Sequence, residues 1–339
     1  ALDARDAVAK TVYGALFLWV VEQVNSCIGW ANDAEVRSTV GVLDIFGFEC
    51  FAVNSFEQLC INFTNEALQQ QFNKFIFKME QDLYESEKIN WAFISFPDNQ
   101  DCLDLIQLRP NGLLPQLDDE CKLGQRGSDR NWANRLYQTF VPSGNVSENG
   151  RFHATAIQKG KAMFCVNHFA GLVAYSAETG FLEKNKDEIP LTAKAMFESA
   201  PNKLMRDVFA VQLRASEDRS DSATAAGKPA KSKTVGTQFK EQLNSLMERV
   251  ASTEPHYIRC LKPNDTAKAK LLTRKRVTEQ LRYGGVLEAV RVARMGYPVR
   301  LDHVTFFKRY RMLLPQLKSN ELPWTLDRQS ADPQKMCIR

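Results

Sequence analysis

From Ala7 to Ile28, the residues Val8, Val12, Leu16, Trp19, Val20, Val24 and Ile28 recur at helical spacing, which predicts a helix with one buried stripe. The apolar, β-branched run that follows, within Thr39–Phe46, has the pattern of a buried strand. Asn54 or Ser55 then caps a second helical pattern, with Glu57 or Gln58 three residues on as the reciprocal cap. Its stripe is Phe56, Leu59, Phe63, Ala67, Phe72, Phe75, Met79 and Leu83, and no Gly or Pro interrupts it before Pro97. A helix reaching Tyr84 would be roughly 45 Å long, far beyond the usual three turns. It reads either as a long core helix or as a rigid rod that carries movement away from its start.

Asp101 to Cys121 reads as two short helices around the breaker Arg109-Pro110-Asn111-Gly112. Met163–Tyr175 is strand-like with an internal Gly, Glu178–Gly180 is a turn, and Lys194–Phe209 is helical. Arg214–Gln238 has almost no bulky apolar residue and is rich in Ser, Ala, Thr and Lys, so it reads as a disordered surface loop. A helix from Phe239, a strand over Pro255–Leu261 and a helix from Val277 to Arg294 complete the pattern. The fold class is α/β and helix-dominated. The strands near 39–46 and 255–261 are expected to be neighbours in a larger sheet, leaving exposed edge and apolar surface in this chain alone.

The 339 residues suffice for one large domain or two ordinary ones, and 44% hydrophobic with 25% charged residues is a globular composition. Charge, Gly or Asn breaks the longest apolar stretches, so no membrane span is expected. Ala1 opens in the middle of an amphipathic pattern, which suggests an internal piece of a longer protein. Eight scattered cysteines without a C-x-x-C pair fit reduced thiols of an intracellular protein. A net charge of +4 is mild and argues against a nucleic-acid module, although a local basic patch could meet an acidic partner. His153, His168, His256 and His303 stand too far apart to suggest a metal site, and no G-x-S-x-G elbow occurs.

The candidate chemistry is concentrated in Asp44-Ile45-Phe46-Gly47-Phe48-Glu49. A buried strand ending in acid-x-x-glycine can set a carboxylate beside a metal-bound water and a bare backbone N–H beside a phosphate. The same letters also make an ordinary strand–turn, and six residues alone leave both readings open.

Their neighbours carry a resemblance. DIFGFE, then NSFEQLCINFTNEALQQQFNKFIFKMEQ, LEKNKD at 182–187, PHYIRCLKPN at 255–264 and QLRYGGVLEAVRVARMGYP at 280–298 resemble the myosin motor domain, in its order and spacing over essentially the whole chain. The resemblance implies a partial myosin head of the P-loop NTPase type, lacking the phosphate-loop half of the central sheet. It makes DIFGFE similar to switch II. Asp44 would order water around Mg²⁺ without ligating it directly, the Gly47 N–H would meet the γ-phosphate of ATP, and Glu49 would pair with a switch I arginine.

The implied subdivision is an upper-domain helix at 1–31, strand and switch at 39–49, relay helix and loop at 54–96, and a lower actin-binding part at 97–213. A surface loop at 214–237, an actin-binding stretch and strand at 238–275, the SH helices at 276–296 and the start of a converter at 297–339 follow. Tyr283 and Ala293 stand where many members carry reactive thiols, so thiol behaviour does not transfer. The implied partner is F-actin, with light chains or calmodulin on a lever arm outside this sequence, and the implied setting is the cytoplasmic actin cytoskeleton.

Lys228, Lys231 and Lys233 would offer salt-sensitive attraction to acidic actin; by default such a segment is a solvated linker. The actin-binding stretch implied is Gln238, Phe239, Lys240, Glu241, Gln242, Leu243, Asn244, Ser245, Leu246, Met247, Glu248, Arg249 and Val250. It continues through Ala251, Ser252, Thr253, Glu254, Pro255, His256, Tyr257, Ile258, Arg259 and Cys260. Within it Lys240 is expected to face the partner. Phe239, Leu243, Leu246, Met247 and Val250 have core spacing, and His256, Tyr257 and Ile258 fit a buried strand.

A phosphate-loop enzyme also needs a glycine-rich loop ending in Gly-Lys-Ser/Thr. Gly160-Lys161 is followed by Ala162, and Gly227-Lys228 by Pro229. Switch I is also absent, so this chain alone is expected neither to bind ATP tightly nor to hydrolyse it. Two classes therefore remain: part of an ATP-driven actin motor, or a catalytically silent actin-binding piece.

Overall fold

The structure is a computed structural model and describes residues 2–29, 37–89, 98–186, 195–197, 199–211, 233–287, 290, 294 and 299–310. Its helices are α1 (Leu2–Ile28), α2 (Phe56–Ser86), α3 (Gln100–Gln107), α4 (Leu113–Cys121), α5 (Asp129–Phe140), α6 (Ala156–Gly160) and α7 (Phe181–Asn185). Further along come α8 (Val235–Ala251), α9 (Arg274–Tyr283) and the helix His303–Tyr310. Residues 203–211 are also helical. Among the described residues three strands, β1 (Phe152–His153), β2 (Met163–His168) and β3 (Gly171–Ser176), form one antiparallel sheet in sequence order. Two compact units emerge: residues 1–74 with 98–285, and residues 75–97 with 286–339.

In the larger unit, the core lies between the first half of α2, the sheet and helices α3–α5. Phe56, Leu59 and Phe63 of α2 are buried with Leu113, Leu117, Trp132, Leu136, Phe164, Tyr175 and Phe181. Each such side chain contributes roughly 1.5–3 kcal/mol on leaving water. The period of two along a strand sets Phe164, Val166 and His168 of β2 on one face with Val173 and Tyr175 of β3, since Phe164 pairs with Tyr175 and Val166 with Val173. Aromatic rings run through this layer, Phe152 stacking on Phe164 at 5.6 Å and Phe164 on Tyr175 at 5.6 Å.

A second, smaller cluster joins α1 to the segment 195–211. Ala15, Phe197, Val208 and Phe209 are buried there, with Val8, Val12 and Trp19 packed against them. The rest of the α1 stripe is uncovered: Leu16, Val20, Val24 and Ile28 are exposed. By length and composition alone Arg5–Ile28 is apolar enough to cross a membrane, a test that a core helix also passes. Part of that apolar content is the face packed on 195–211. In the other unit, Tyr84 is buried, Arg300 is ion-paired with Glu80, and His303 Nε2 lies 3.2 Å from Glu87.

Several elements differ from the sequence reading. Neither 39–46 nor 255–261 forms a strand, and among the described residues neither has a ladder partner. A β-branched run becomes strand only where neighbours pair with it. Val40, Val42 and Ile258 are thus exposed rather than buried, as is His256; Tyr257 is half-buried, its ring edge-on to Phe72 at 4.8 Å. The apparent single strand over 163–175 is a hairpin that turns at Phe169-Ala170, and Gly171 (φ 133°) begins its return strand. The helix expected from Val277 is interrupted at Gly284-Gly285, and the one expected over 194–209 is interrupted at Ala200-Pro201-Asn202. Of the described cysteines, Cys60, Cys102 and Cys165 are buried, whereas Cys27, Cys50 and Cys260 are exposed.

Candidate nucleotide switch and actin-facing surface

The Asp44–Glu49 segment has no regular secondary structure and lies against α2 through its own main chain. Asn65 Nδ2 donates to the Phe46 carbonyl at 3.1 Å. Asn62 clamps Glu49 at both ends, its Oδ1 accepting the Glu49 N–H at 2.9 Å and its Nδ2 donating to the Glu49 carbonyl at 2.8 Å. Gln58 Nε2 donates to the Glu49 carboxylate at 3.3 Å. Phe48 is the buried anchor, its ring 5.3 Å from His168, 5.6 Å from Phe169 and 5.4 Å from Tyr283 of α9. Asp44 and Gly47 are exposed. The same segment walls a cleft of about 610 Å³ in which Asp44, Ile45 and Phe46 face Ile61 and Thr64 of α2 and Phe239, Gln242, Leu243 and Leu246 of α8.

The start of α2 follows the expected capping in part. Gln58 Oε1 accepts the Ser55 N–H at 3.0 Å, the reciprocal half of a capping box. Asn54 instead serves the preceding turn and β3, accepting from the Phe51 N–H and donating to the Ala174 carbonyl. The helix also carries a buried polar stripe that the apolar pattern conceals. Asn62, Glu66, Gln69, Gln70 and Asn73 are all buried. Their spacing of three and four, in phase with Leu59 and Phe63, was the signal available in the sequence. A Cβ on Gly285 (φ 69°) would stand 2.1 Å from Gln69 Oε1, so glycine lets the chain after α9 come this close to α2.

Glu66 is the centre of that stripe. Its Oε1 accepts the Phe169 N–H at 2.8 Å and lies 3.0 Å from His168 Nδ1, while Asn99 Nδ2 donates to its Oε2. His168 Nε2 lies 2.9 Å from the Tyr175 hydroxyl, which accepts from Asn62 at 2.9 Å. Glu66, Cys102 and His168 form the cluster of metal-type donors that histidine spacing failed to reveal, because the fold gathers residues far apart in sequence. Here they satisfy one another: burial and the adjacent Glu66 push the Cys102 thiol well above its ordinary value, and it donates to Glu66 Oε1 at 3.4 Å.

Burial alone would raise the Glu66 carboxyl, but hydrogen bonds from His168, Asn99 and the Phe169 amide outweigh it and hold it below the usual carboxylate value. A depressed folded pKa contributes stability above the unfolded value, about 4.3, and loses it as pH falls through the folded value. Unfolding midpoints are therefore expected to drop below about pH 4.3, with a shallower drop in Glu66→Gln. Identical pH slopes for the two proteins would contradict this.

Helix α8 has the predicted amphipathic form. Leu243 is buried, Phe239, Leu246, Met247 and Val250 are half-buried, and Gln242, Asn244, Ser245, Glu248 and Arg249 are exposed. Its first turn is pinned by Asp118 of α4, which accepts from Thr234 at 2.5 Å, Thr237 at 2.8 Å and Asn185 at 3.0 Å. Lys240 is half-buried and donates to the Gln107 carbonyl at the end of α3. Lys233 pairs with Glu241 at 2.9 Å. Lys228, Lys231 and Ala293 lie outside the described residues, as do most of the expected surface loop at 214–237, the end of the expected relay loop with Trp91, and the expected converter beyond Tyr310.

Residues 1–338 match the myosin head (motor domain) family. Among individual relatives, "Myosin-8" of Arabidopsis thaliana is 41% identical over 98% of this chain and 20% of its own length. "Myosin-5" of the same plant is 42% identical over 94% of this chain and 19% of its own length. "Unconventional myosin-Va" of Gallus gallus is 43% identical over 93% of this chain and 18% of its own length. The chain thus spans about a fifth of the length of the curated relatives it matches. With DIFGFE docked on a long helix and a family match from end to end, the chain belongs to the myosin head (motor domain) family.

Proposed function

We propose that this chain is the part of an ATP-driven actin motor that senses the nucleotide and passes its state along α2. The observation that carries the reading is the anchoring of Phe46 and Glu49 main chain to Asn65 and Asn62. A small shift of that main chain toward a phosphate pulls directly on a 31-residue helix, α2, which is about 46 Å long. In the complete head, of P-loop NTPase type, bound ATP and Mg²⁺ supply the phosphoryl-transfer chemistry and its charge neutralisation. The exposed Asp44 carboxylate and the open side of Gly47 suit that ligand. Asp44 would orient water on the metal, the Gly47 N–H would approach the γ-phosphate, and Glu49 would pair with a switch I arginine.

F-actin is the proposed partner. The helix–loop–helix α3–α4 and the stretch 238–260 form the proposed surface, joined by Asp118, Lys240 and Asn185. The lysines 228, 231 and 233 would add salt-sensitive steering, Lys233 the least because Glu241 already pairs with it. This reading implies a cytoplasmic, cytoskeletal setting and keeps the subdivision drawn from the sequence, including a converter that begins after Tyr297.

ATPase assays test the reading. The 339-residue chain alone is expected to show no turnover. A motor domain in which a phosphate loop and switch I precede this chain is expected to turn over ATP and to accelerate with F-actin. Actin binding without turnover in that longer protein would favour a catalytically silent binding piece.

A further inference from the structure

We propose that His168 is a positioning residue for the Asp44–Glu49 segment, acting through the Tyr175 hydroxyl and the Asn62 carboxamide. Its bearing on nucleotide chemistry rests on the reading of that segment given above.

The direction of each bond follows from requiring a partner for every proton in this buried network. Asn62 Nδ2 has two protons, one donated to the Glu49 carbonyl at 2.8 Å and the other to the Tyr175 hydroxyl at 2.9 Å. The hydroxyl, once it accepts from Asn62, has a single proton to give, and His168 Nε2 lies 2.9 Å away. The hydroxyl oxygen could take a second donor, but its own buried proton would then have no partner, so the fully satisfied arrangement makes Nε2 the acceptor and puts the ring proton on Nδ1, where Glu66 Oε1 accepts it at 3.0 Å. Glu66 Oε1 also takes the Phe169 N–H at 2.8 Å, so that oxygen is an acceptor in both contacts. The result is one donor chain, Asn62 to Tyr175 to His168 to Glu66, whose four side chains are all buried and which draws on α2, β2 and β3.

The direction matters for Glu49. A ring protonated on Nε2 would donate to Tyr175 and leave the buried hydroxyl proton without a partner unless Asn62 offered it an oxygen. To accept it, the Asn62 carboxamide would have to flip, setting Oδ1 against the Glu49 carbonyl and Nδ2 against the Glu49 N–H. Both bonds of the clamp would become repulsive contacts. The tautomer held by Glu66 thus decides whether Asn62 can grip the segment that carries Asp44 and Gly47. A chain of this kind, closed to water, tolerates only one arrangement.

Two measurements on the 339-residue chain test it. Nitrogen-15 spectra of histidine-labelled wild type at neutral pH are expected to show His168 protonated on Nδ1 and bare on Nε2; protonation on Nε2 overturns the proposal. Amide exchange at Glu49 is then read against the β2–β3 ladder amides. Tyr175→Phe and His168→Leu are each expected to speed Glu49 exchange roughly tenfold relative to the ladder, through loss of a buried hydrogen bond. His168→Gln, whose side-chain oxygen can replace the Nε2 acceptor, is expected to stay within about twofold of wild type. Unchanged Glu49 exchange in all variants, or an acceleration shared equally by the ladder as a purely structural role would give, overturns the proposal. Neither measurement involves nucleotide, so failure here leaves the reading of Asp44 and Gly47 standing, and failure of the ATPase test leaves this coupling standing.

Discussion

Gly47→Ala is expected to stop ATP turnover in a complete motor domain carrying this chain while leaving the fold unchanged. A Cβ built on Gly47 meets no heavy atom within 4 Å, and the residue is exposed, so the methyl group disturbs no packing. Its cost falls on the proposed approach of the Gly47 N–H to the γ-phosphate. Loss of one preorganised donor to developing charge lowers rates by on the order of 10²–10³. Turnover should therefore fall at least about a hundredfold, with nucleotide binding largely retained and the unfolding midpoint unmoved. Steady-state ATPase and denaturant unfolding of the same variant separate the two effects. Wild-type turnover would remove Gly47 from the site.

The largest stability effect is expected at Trp132. Its side chain is fully buried, with ring centroids 4.8 Å from Phe181 and 5.6 Å from Phe164, and its Nε1 donates to the Leu113 carbonyl at 3.2 Å. It thus ties α5 to α4, α7 and the sheet at once. Truncation of such a residue costs about 3–5 kcal/mol, because the surrounding side chains collapse only partly into the space left. Against a typical domain stability of about 5–15 kcal/mol, that is a large fraction. Trp132→Ala should lower the urea midpoint strongly with an unchanged slope, and Trp132→Phe should lose less. A loss below about 1 kcal/mol for the alanine variant would contradict the packing described here.

The sequence was most informative where one element's own periodicity decides the structure. The predicted start of α2 near Asn54 or Ser55, and its reach to about Tyr84, agree closely with the observed Phe56–Ser86 because an uninterrupted stripe needs no distant partner to become helix. The break at Arg109–Gly112 likewise separates α3 from α4 as its Pro and Gly require. Where structure depends on pairing, the pattern misled. Residues 39–46 and 255–261 have strand composition but no ladder among the described residues, and a two-residue turn hidden in an apolar run divides 163–175 into a hairpin.

The same distinction holds at the site. Asp44, Gly47 and Glu49, the proposed switch residues, could be singled out because they stand within six consecutive letters. Asn62 and Asn65, which fasten them to the helix, were passed over as polar letters inside an apolar stripe. The Glu66–Cys102–His168 cluster could not be found by spacing, since α2, α3 and β2 bring its members together only in the fold. Lys240, expected to face a partner, spends its ammonium on the Gln107 carbonyl, a partner 133 residues away.

The central claim is that Asp44–Glu49 responds to the nucleotide and is tied to α2. Hydrogen exchange across residues 44–50 in a complete motor domain, with and without a non-hydrolysable ATP analogue, tests it most directly. Slower exchange at the Gly47 amide on nucleotide binding, accompanied by a change at the Glu49 amide bonded to Asn62, is the predicted result. Exchange at both amides that is the same with and without nucleotide would contradict it.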